Sequence, residues 1–366
     1  MEKKTKAILI TLSVLIILAI MIVALFSPAN ISQGNKTITD MAGRTVTIPN
    51  QANTVVATDP PMTTIIYMLA PEKLGGLNFQ WTDEEIKYVP SQYRDIPNIG
   101  GWYGSNTGNY EQFIATNPDI IIESISELGG DNSTIKDQQE KFGTIPLVAV
   151  TDNTNVTKIN PSIQFIGTII GAEDKANQLC EFNDKYLKII NETNSNIPDN
   201  ERKTVYYAEG EDGLSTDPNG TAHAQLISLC GGYNVADIES QEGEGQIQVS
   251  IEQVVKWNPD VIIANDPDFY KTVYTDPTWS NIEAVKNHQV YLSPQSPFKW
   301  IDRPPGANII IGTPWMAKVL YPDYYDDINL KDTTHEFYSE FYHIDLSDQQ
   351  INEILTNSGL NTTQIG

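Results

Sequence analysis

Cysteine is scarce in this chain: Cys180 and Cys230 are the only two among 366 residues. One disulfide at most can form, and their separation does not say whether they meet or serve as two buried small hydrophobes. Histidine is as rare, and His223, His288, His335 and His343 are scattered with no His-rich tract. A receptor for bare zinc or manganese needs several His and carboxylates converging, so no metal site is expected. Cationic side chains are also few, with 23 Lys and Arg against 47 Asp and Glu and a formal net charge of −24. Such a surface repels phosphate backbones and excludes nucleic acid as a partner. It keeps an exposed protein soluble, and any anion site must be built locally from a placed Arg or from backbone N–H groups. No convincing G-x-S-x-G elbow or G-x-G-x-x-G turn is present, so neither a hydrolase nor a dinucleotide enzyme is indicated and no cofactor is expected. The acid-rich run 239–244 reads as a solvated loop rather than a catalytic carboxylate pair.

One long apolar run exists. Lys3, Lys4 and Lys6 precede residues 7–26, which are interrupted only by Thr11 and Ser13 and are long enough to span a bilayer as a helix. The basic flank stays cytoplasmic by the positive-inside rule, so everything after Phe26 is expected on the outer face. No Cys follows the run, which excludes a bacterial lipobox, although the small residues at 27–29 leave a place where a signal peptidase could cut. Anchored or secreted, the remainder is extracytoplasmic. Asn-x-Ser/Thr sequons at Asn30, Asn35, Asn132, Asn155, Asn191, Asn219 and Asn361 are compatible with a glycoprotein.

The most informative feature is an internal repeat. Glu111-Gln112 followed by Asn117-Pro118-Asp119-Ile120-Ile121-Ile122 recurs as Glu252-Gln253 followed by Asn258-Pro259-Asp260-Val261-Ile262-Ile263. Two similar lobes are implied, each with a short helix, a tight Asn-Pro-Asp turn and a buried strand. The strands are too continuously apolar for a half-exposed antiparallel sheet, as are 54–57, 145–150 and 204–207, and parallel sheets covered by helices follow. Between the lobes, residues 161–190 carry apolar positions at helical spacing and predict a long connecting helix that Gly171 can break. Stretches 334–342 and 347–355 predict two further helices, the second capped by Ser347. The expected organisation is an anchor or signal segment at 1–35, an N-terminal lobe at 36–153, the connecting helix at 154–197 and a C-terminal lobe at 198–366. The fold class is α/β, with two Rossmann-like lobes, a ligand cleft between them and an N-terminal transmembrane anchor.

With these features in place, the chain resembles the substrate-binding proteins of ABC transporters of the long-helix class, class III, over residues 38–355. That family serves cobalamin, ferric siderophores, haem and, in one branch, molybdate or tungstate. The resemblance rests on Asp40-Met41-Ala42-Gly43-Arg44, the two repeated segments, Gly231-Gly232-Tyr233-Asn234-Val235, and Trp300-Ile301-Asp302-Arg303-Pro304-Pro305. It implies a receptor, not an enzyme, that passes a small metal chelate or oxyanion to a permease dimer. It also implies that Glu111 and Glu252 meet Arg pockets on that permease; the plainer alternative is that each only favours the dipole of its own helix. An iron chelate of the siderophore type ranks first as cargo, a molybdate or tungstate oxyanion second, and a corrinoid or nickel chelate behind. A surface structural or sensor protein is the competing class.

Ligands in such folds sit where loops leave the C-terminal ends of parallel strands. Thr58 and Asp59 follow the first strand and precede a helix whose free N–H groups can take an anion, or simply form a capped turn. Trp102, Tyr103, Gly104 and Ser105 place two aromatics in a Gly-rich loop that can approach a ligand or pack internally. Tyr207 and Glu209 end a second-lobe strand, and His223 opens a later helix, where a structural histidine is the plainer reading. Trp300, Asp302 and Arg303 form the strongest candidate loop, with a guanidinium fork suited to an oxygen edge or, alternatively, to an internal ion pair with Asp302 or another acid.

Overall fold

The structure is a computed structural model that describes residues 34–125, 132–151, 154–238 and 246–366. The expected membrane helix at 7–26 and the acidic run 239–244 lie outside the described residues. Among those described, no helix is long and apolar enough to cross a membrane.

The described chain opens with an antiparallel hairpin, β1 (Asn35–Thr39) and β2 (Thr45–Pro49). Its Asp-Met-Ala-Gly-Arg turn is closed by an Asp40–Arg44 ion pair at 2.6 Å. Asp40 also accepts from the Ala149 N–H, and Arg44 donates to the Leu147 carbonyl, which ties the hairpin to the first sheet. That sheet is parallel, in the order β3 (Val55–Ala57), β4 (Ile120–Ser124), β5 (Leu147–Val150). Helices α1 (Pro60–Leu69), α2 (Tyr110–Ala115) and α3 (Asn132–Phe142) lie between its strands in the chain.

A second sheet is built from β6 (Thr204–Ala208), β8 (Tyr233–Asn234), β10 (Val261–Ala264) and β11 (Val290–Leu292), all parallel, in the order β11-β10-β6-β8. Two short antiparallel strands, β7 (Ser215–Thr216) and β9 (Ile247–Gln248), form a ribbon beside it. The predicted strands at 54–57, 145–150 and 204–207 correspond to β3, β5 and β6. Their unbroken apolar runs form because each sheet is buried on both faces.

Alternate strand residues enter different cores, as the two-residue period requires. Val55, Ala57, Ile120, Ile122, Val205, Tyr207, Val261 and Ile263 face one continuous core, whereas Val56 and Ile121 face a second and Tyr206 and Ile262 a third. The continuous core thus receives one face of each sheet. Between the sheets run α4 (Asn160–Ile170) and α5 (Glu173–Asn194). The stretch predicted as a connecting helix is therefore two helices, because Gly171 takes the left-handed backbone (φ 70°) that ends α4. The two helices pack tightly at Gly167, where a Cβ would stand 2.5 Å from the Ala176 methyl.

The repeat has a mechanical explanation. Asn117 and Asn258 adopt the same left-handed conformation, φ 48° and 44°, and turn the chain from helix to strand. Asp119 then accepts from the N–H groups of Asn53 and Thr54, and Asp260 accepts from the N–H and hydroxyl of Thr204. Each aspartate pins its strand to the start of the neighbouring one, which fixes register in both sheets. In the second copy the helix is α6 (Ile251–Trp257).

The C-terminal part adds α7 (Ile309–Leu320), α8 (Leu330–Phe341) and α9 (Asp348–Asn357). Ser347 caps α9 in a reciprocal box with Gln350, as expected from the sequence. Every residue of α7 is buried. Its Gly312 faces the carbonyl of Trp300 so closely that a Cβ there would lie 1.9 Å from that oxygen. Gly312→Ala is expected to lower stability by about 1–3 kcal/mol by forcing the helix from the loop, measured as a reduced urea midpoint with an unchanged slope.

Candidate ligand-binding cavity

Loops from both sheets meet around a cavity of about 630 Å³. One wall is Pro60, Phe79, Gln80, Thr82, Glu85, Tyr103 and Gly104, and the other is His223, Pro297, Phe298, Lys299, Arg303, Pro304 and Pro305. Phe298 and Phe79 meet edge to face with centroids 6.0 Å apart, and Phe298 continues into Trp81, Tyr67 and Tyr342. The aromatic lining is thus the exposed end of the main core, held in shape by that core.

Arg303 sits in the left-handed region (φ 56°), a strained backbone for an arginine that its ion pairs hold in place. It donates through Nε to Glu209 at 2.9 Å and through Nη2 to Asp217 at 2.6 Å, and Asp302 lies 3.3 Å from Nε. Glu209, Asp217 and Asp302 are wholly buried. Asp302 accepts from the Tyr207 hydroxyl at 3.1 Å and pairs with His223 Nδ1 at 2.6 Å. Three carboxylates around one guanidinium leave an excess of negative charge, and among the described residues Glu209 Oε2 and Asp217 Oδ1 have no hydrogen-bond partner. Burial, then the neighbouring Asp217 carboxyl, raises the Glu209 carboxyl well above the usual carboxylate range. Asp217, His223 and Asp302 also bring one ligating atom each within 4.8 Å of one another, the arrangement a cation would use. In the chain as folded those atoms serve the Arg303 network.

A second polar cluster closes the ends of β3 and β4. Asp59 caps α1 by accepting from Met62 N–H at 2.9 Å, and Thr58 donates to the Ile122 carbonyl. Burial raises Asp59 to about 6 and Glu123 to about 7. Glu123 accepts from Gln138 at 3.1 Å.

The structure brings Tyr103, Gly104, His223 and Arg303 to the cavity surface, and the other predicted contacts fall elsewhere. Thr58 and Asp59 are buried, and the α1 N–H that would take a ligand takes Asp59 instead. Trp102 turns inward onto Tyr110, Phe113 and Phe142, and Ser105 is exposed outside the cavity wall. The close backbone approach permitted by Gly101 is to Thr58, since a Cβ would stand 2.2 Å from its carbonyl oxygen. Tyr207, Glu209 and Asp302 lie beneath Arg303, and Trp300 is wholly buried with its indole N–H donating to Tyr338. Of the two readings of the Arg303 guanidinium, the structure shows the internal ion pair, with Glu209 and Asp217 as well as Asp302. Sequence reasoning missed Phe79, Glu85, Phe298 and Lys299, although Phe298 and Lys299 directly precede the loop it singled out. It also missed Glu123, whose signal was an acid near the end of an otherwise apolar strand. Cys180 and Cys230 are both buried and unpaired.

Two parallel sheets, an intervening helical connection and a cavity at strand C-terminal ends define the class III solute-binding fold of ABC transporters. The chain belongs to the periplasmic binding protein family, whose model matches residues 55–297. It is 25% identical over 342 residues to the molybdate-binding protein MolA of Haemophilus influenzae, covering 88% of this chain and 96% of that one. It is 29% identical to the uncharacterized ABC transporter substrate-binding lipoprotein YvrC of Bacillus subtilis, covering 78% and 86%. Among solved structures, an ABC transporter solute binding protein from Sulfurospirillum deleyianum superimposes with a TM-score of 0.80 at 31% identity, covering 87% and 99%.

Removing the Arg303 charge leaves buried acids without a cation, so Arg303→Met should lower stability by about 3 kcal/mol or more, read by urea denaturation at pH 7.5. Raised carboxyl pKa values carry the opposite sign from the usual acid. The unfolded chain releases the Asp59 and Glu123 protons near their ordinary 3.8 and 4.5, while the folded chain holds them to about 6 and 7. Stability from these groups is therefore full below about pH 4 and lost as pH rises to about 7. Glu123→Gln should match the wild type at about pH 4 and exceed it at about pH 8, in paired thermal melts at the two pH values.

Proposed function

We propose that the chain is the extracytoplasmic solute-binding receptor of an ABC importer, taking up a metal chelate of the iron–siderophore type. The observation that carries this reading is the cavity: about 630 Å³, walled by Phe79, Tyr103, Phe298 and four prolines, with charged groups at a few points. Small-molecule sites are built this way, and a bare tetrahedral oxyanion would leave most of that volume empty. Residues 36–153 and 198–366 act as the two lobes and 154–197 as their connection, with the cavity as the cleft. The apolar run at 7–26 supplies the membrane anchor.

Delivery to the permease falls to the repeated helices. Glu111 and Glu252 are exposed in the first turns of α2 and α6, each helix capped by a side chain, Asn109 and Ser250. One turn on, Ile114 and Val255 are exposed aliphatics at the same place in the repeat. Two equivalent patches suit a permease dimer with two equivalent pockets.

A second reading, an oxyanion receptor, is favoured by the likeness to MolA, which is named for molybdate binding. Thermal shift on residues 36–366 with ferric siderophores, haem, cobalamin, molybdate, tungstate and nickel–histidine separates the two. Ligand at a hundred times its Kd should add about 2.7 kcal/mol; a ferric chelate alone is expected to do so. A shift with molybdate alone selects the second reading, and no shift with any of them moves the chain to a structural or sensor role. In a reconstituted importer, Glu111→Lys with Glu252→Lys should abolish transport and leave that thermal shift unchanged.

A further inference from the structure

Arg303 was the obvious anion contact, yet its Nε and Nη2 are committed to Glu209 and Asp217. Its charge is balanced from behind the cavity. Four residues earlier, on the same loop, stands a cation in a different situation. Lys299 lines the 630 Å³ cavity and also a neighbouring one of about 720 Å³, so it stands in the wall between them. Its backbone is fixed, because Asn308 donates to its carbonyl at 2.6 Å and buried Phe298 and Trp300 flank it. Among the described residues its ammonium makes no hydrogen bond and no ion pair, although Glu85, Asp266, Asp302 and Glu209 all contribute to its surroundings. Burial holds Lys299 below the usual lysine range. A half-buried ammonium ordinarily reaches either a partner or open water. Here the side chain lines both cavities, beside Thr82 and Glu85.

We propose that Lys299 receives the negative charge of the cargo, and that the cargo is therefore an oxygen-bearing anion bound against the wall between the two cavities. This rests on the receptor reading above and sharpens it. An anionic ferric carboxylate chelate and a free oxyanion share the chemistry that a lone ammonium selects, whereas a neutral chelate gains nothing from it.

The test is isothermal titration of the wild type, Lys299→Met and Lys299→Arg with three probes: ferric citrate, molybdate and a neutral ferric trihydroxamate. Met keeps the apolar stem, and equal thermal melts check that the variants fold; Lys299→Gln substitutes if Met does not. The wild type should bind an anionic probe, Lys299→Met should weaken that binding about tenfold or more, and Lys299→Arg should retain most of it. Which of the two anionic probes responds tells a carboxylate chelate from a free oxyanion. Unchanged affinity in Lys299→Met overturns the inference and leaves the receptor reading standing, as does wild-type binding of the neutral trihydroxamate alone. Binding of none of the three overturns the inference, and the receptor reading then stands or falls with the wider thermal-shift panel.

Discussion

One constraint organises this molecule: a single apolar core receives one face of each parallel sheet and the helices between them. Ile163, Ile166 and Ile169 of α4, Leu179, Phe182 and Tyr186 of α5, and the apolar side chains of α7 such as Ile309, Trp315 and Leu320 fill it. Because interiors are packed to near-crystalline density, the sheets cannot slide on such a core without opening voids. The cavity is formed where the core reaches the surface, at Phe79 and Phe298. Its shape is consequently set by core packing, and only small movements of the surrounding loops are cheap.

Against this apolar background the polar chemistry is concentrated in two buried places. At the end of β6, Arg303 gathers three carboxylates and holds a strained backbone in position. At the ends of β3 and β4, Asp59 and Glu123 sit without any cation close enough to offset burial. Both clusters occupy the C-terminal ends of parallel strands, where the fold leaves backbone groups and cavities to be filled. In these clusters acids do structural duty, Asp59 as a helix cap and the acids around Arg303 as counter-charge.

The fold was largely legible because its determinants are local or repeated. The Asn-Pro-Asp turns, the unbroken apolar strands, the Gly171 break and the Ser347 cap all act within a few residues, and sequence displays them directly. The site was legible only in its loops. That Tyr103, Gly104, His223 and Arg303 would line a cavity follows from their positions after strands. That Trp102 and Trp300 would turn inward does not, because a tryptophan in a loop is equally able to face a ligand or a core. The fate of Arg303 depended on Glu209 and Asp217, more than eighty residues away in sequence, and no spacing rule links them. Lys299 was passed over because the lack of a hydrogen-bond or ion-pair partner among the described residues is visible only in the folded chain.

The shared core also bears on how the chain comes apart. Each half keeps a smaller core on the other face of its own sheet, but both lose the shared core once they part. Loss of structure is expected to be concerted, with one transition and no long-lived intermediate presenting half of the chain to a protease. For an extracytoplasmic binding protein, beyond the reach of cytoplasmic chaperones, such all-or-none behaviour serves as a form of durability.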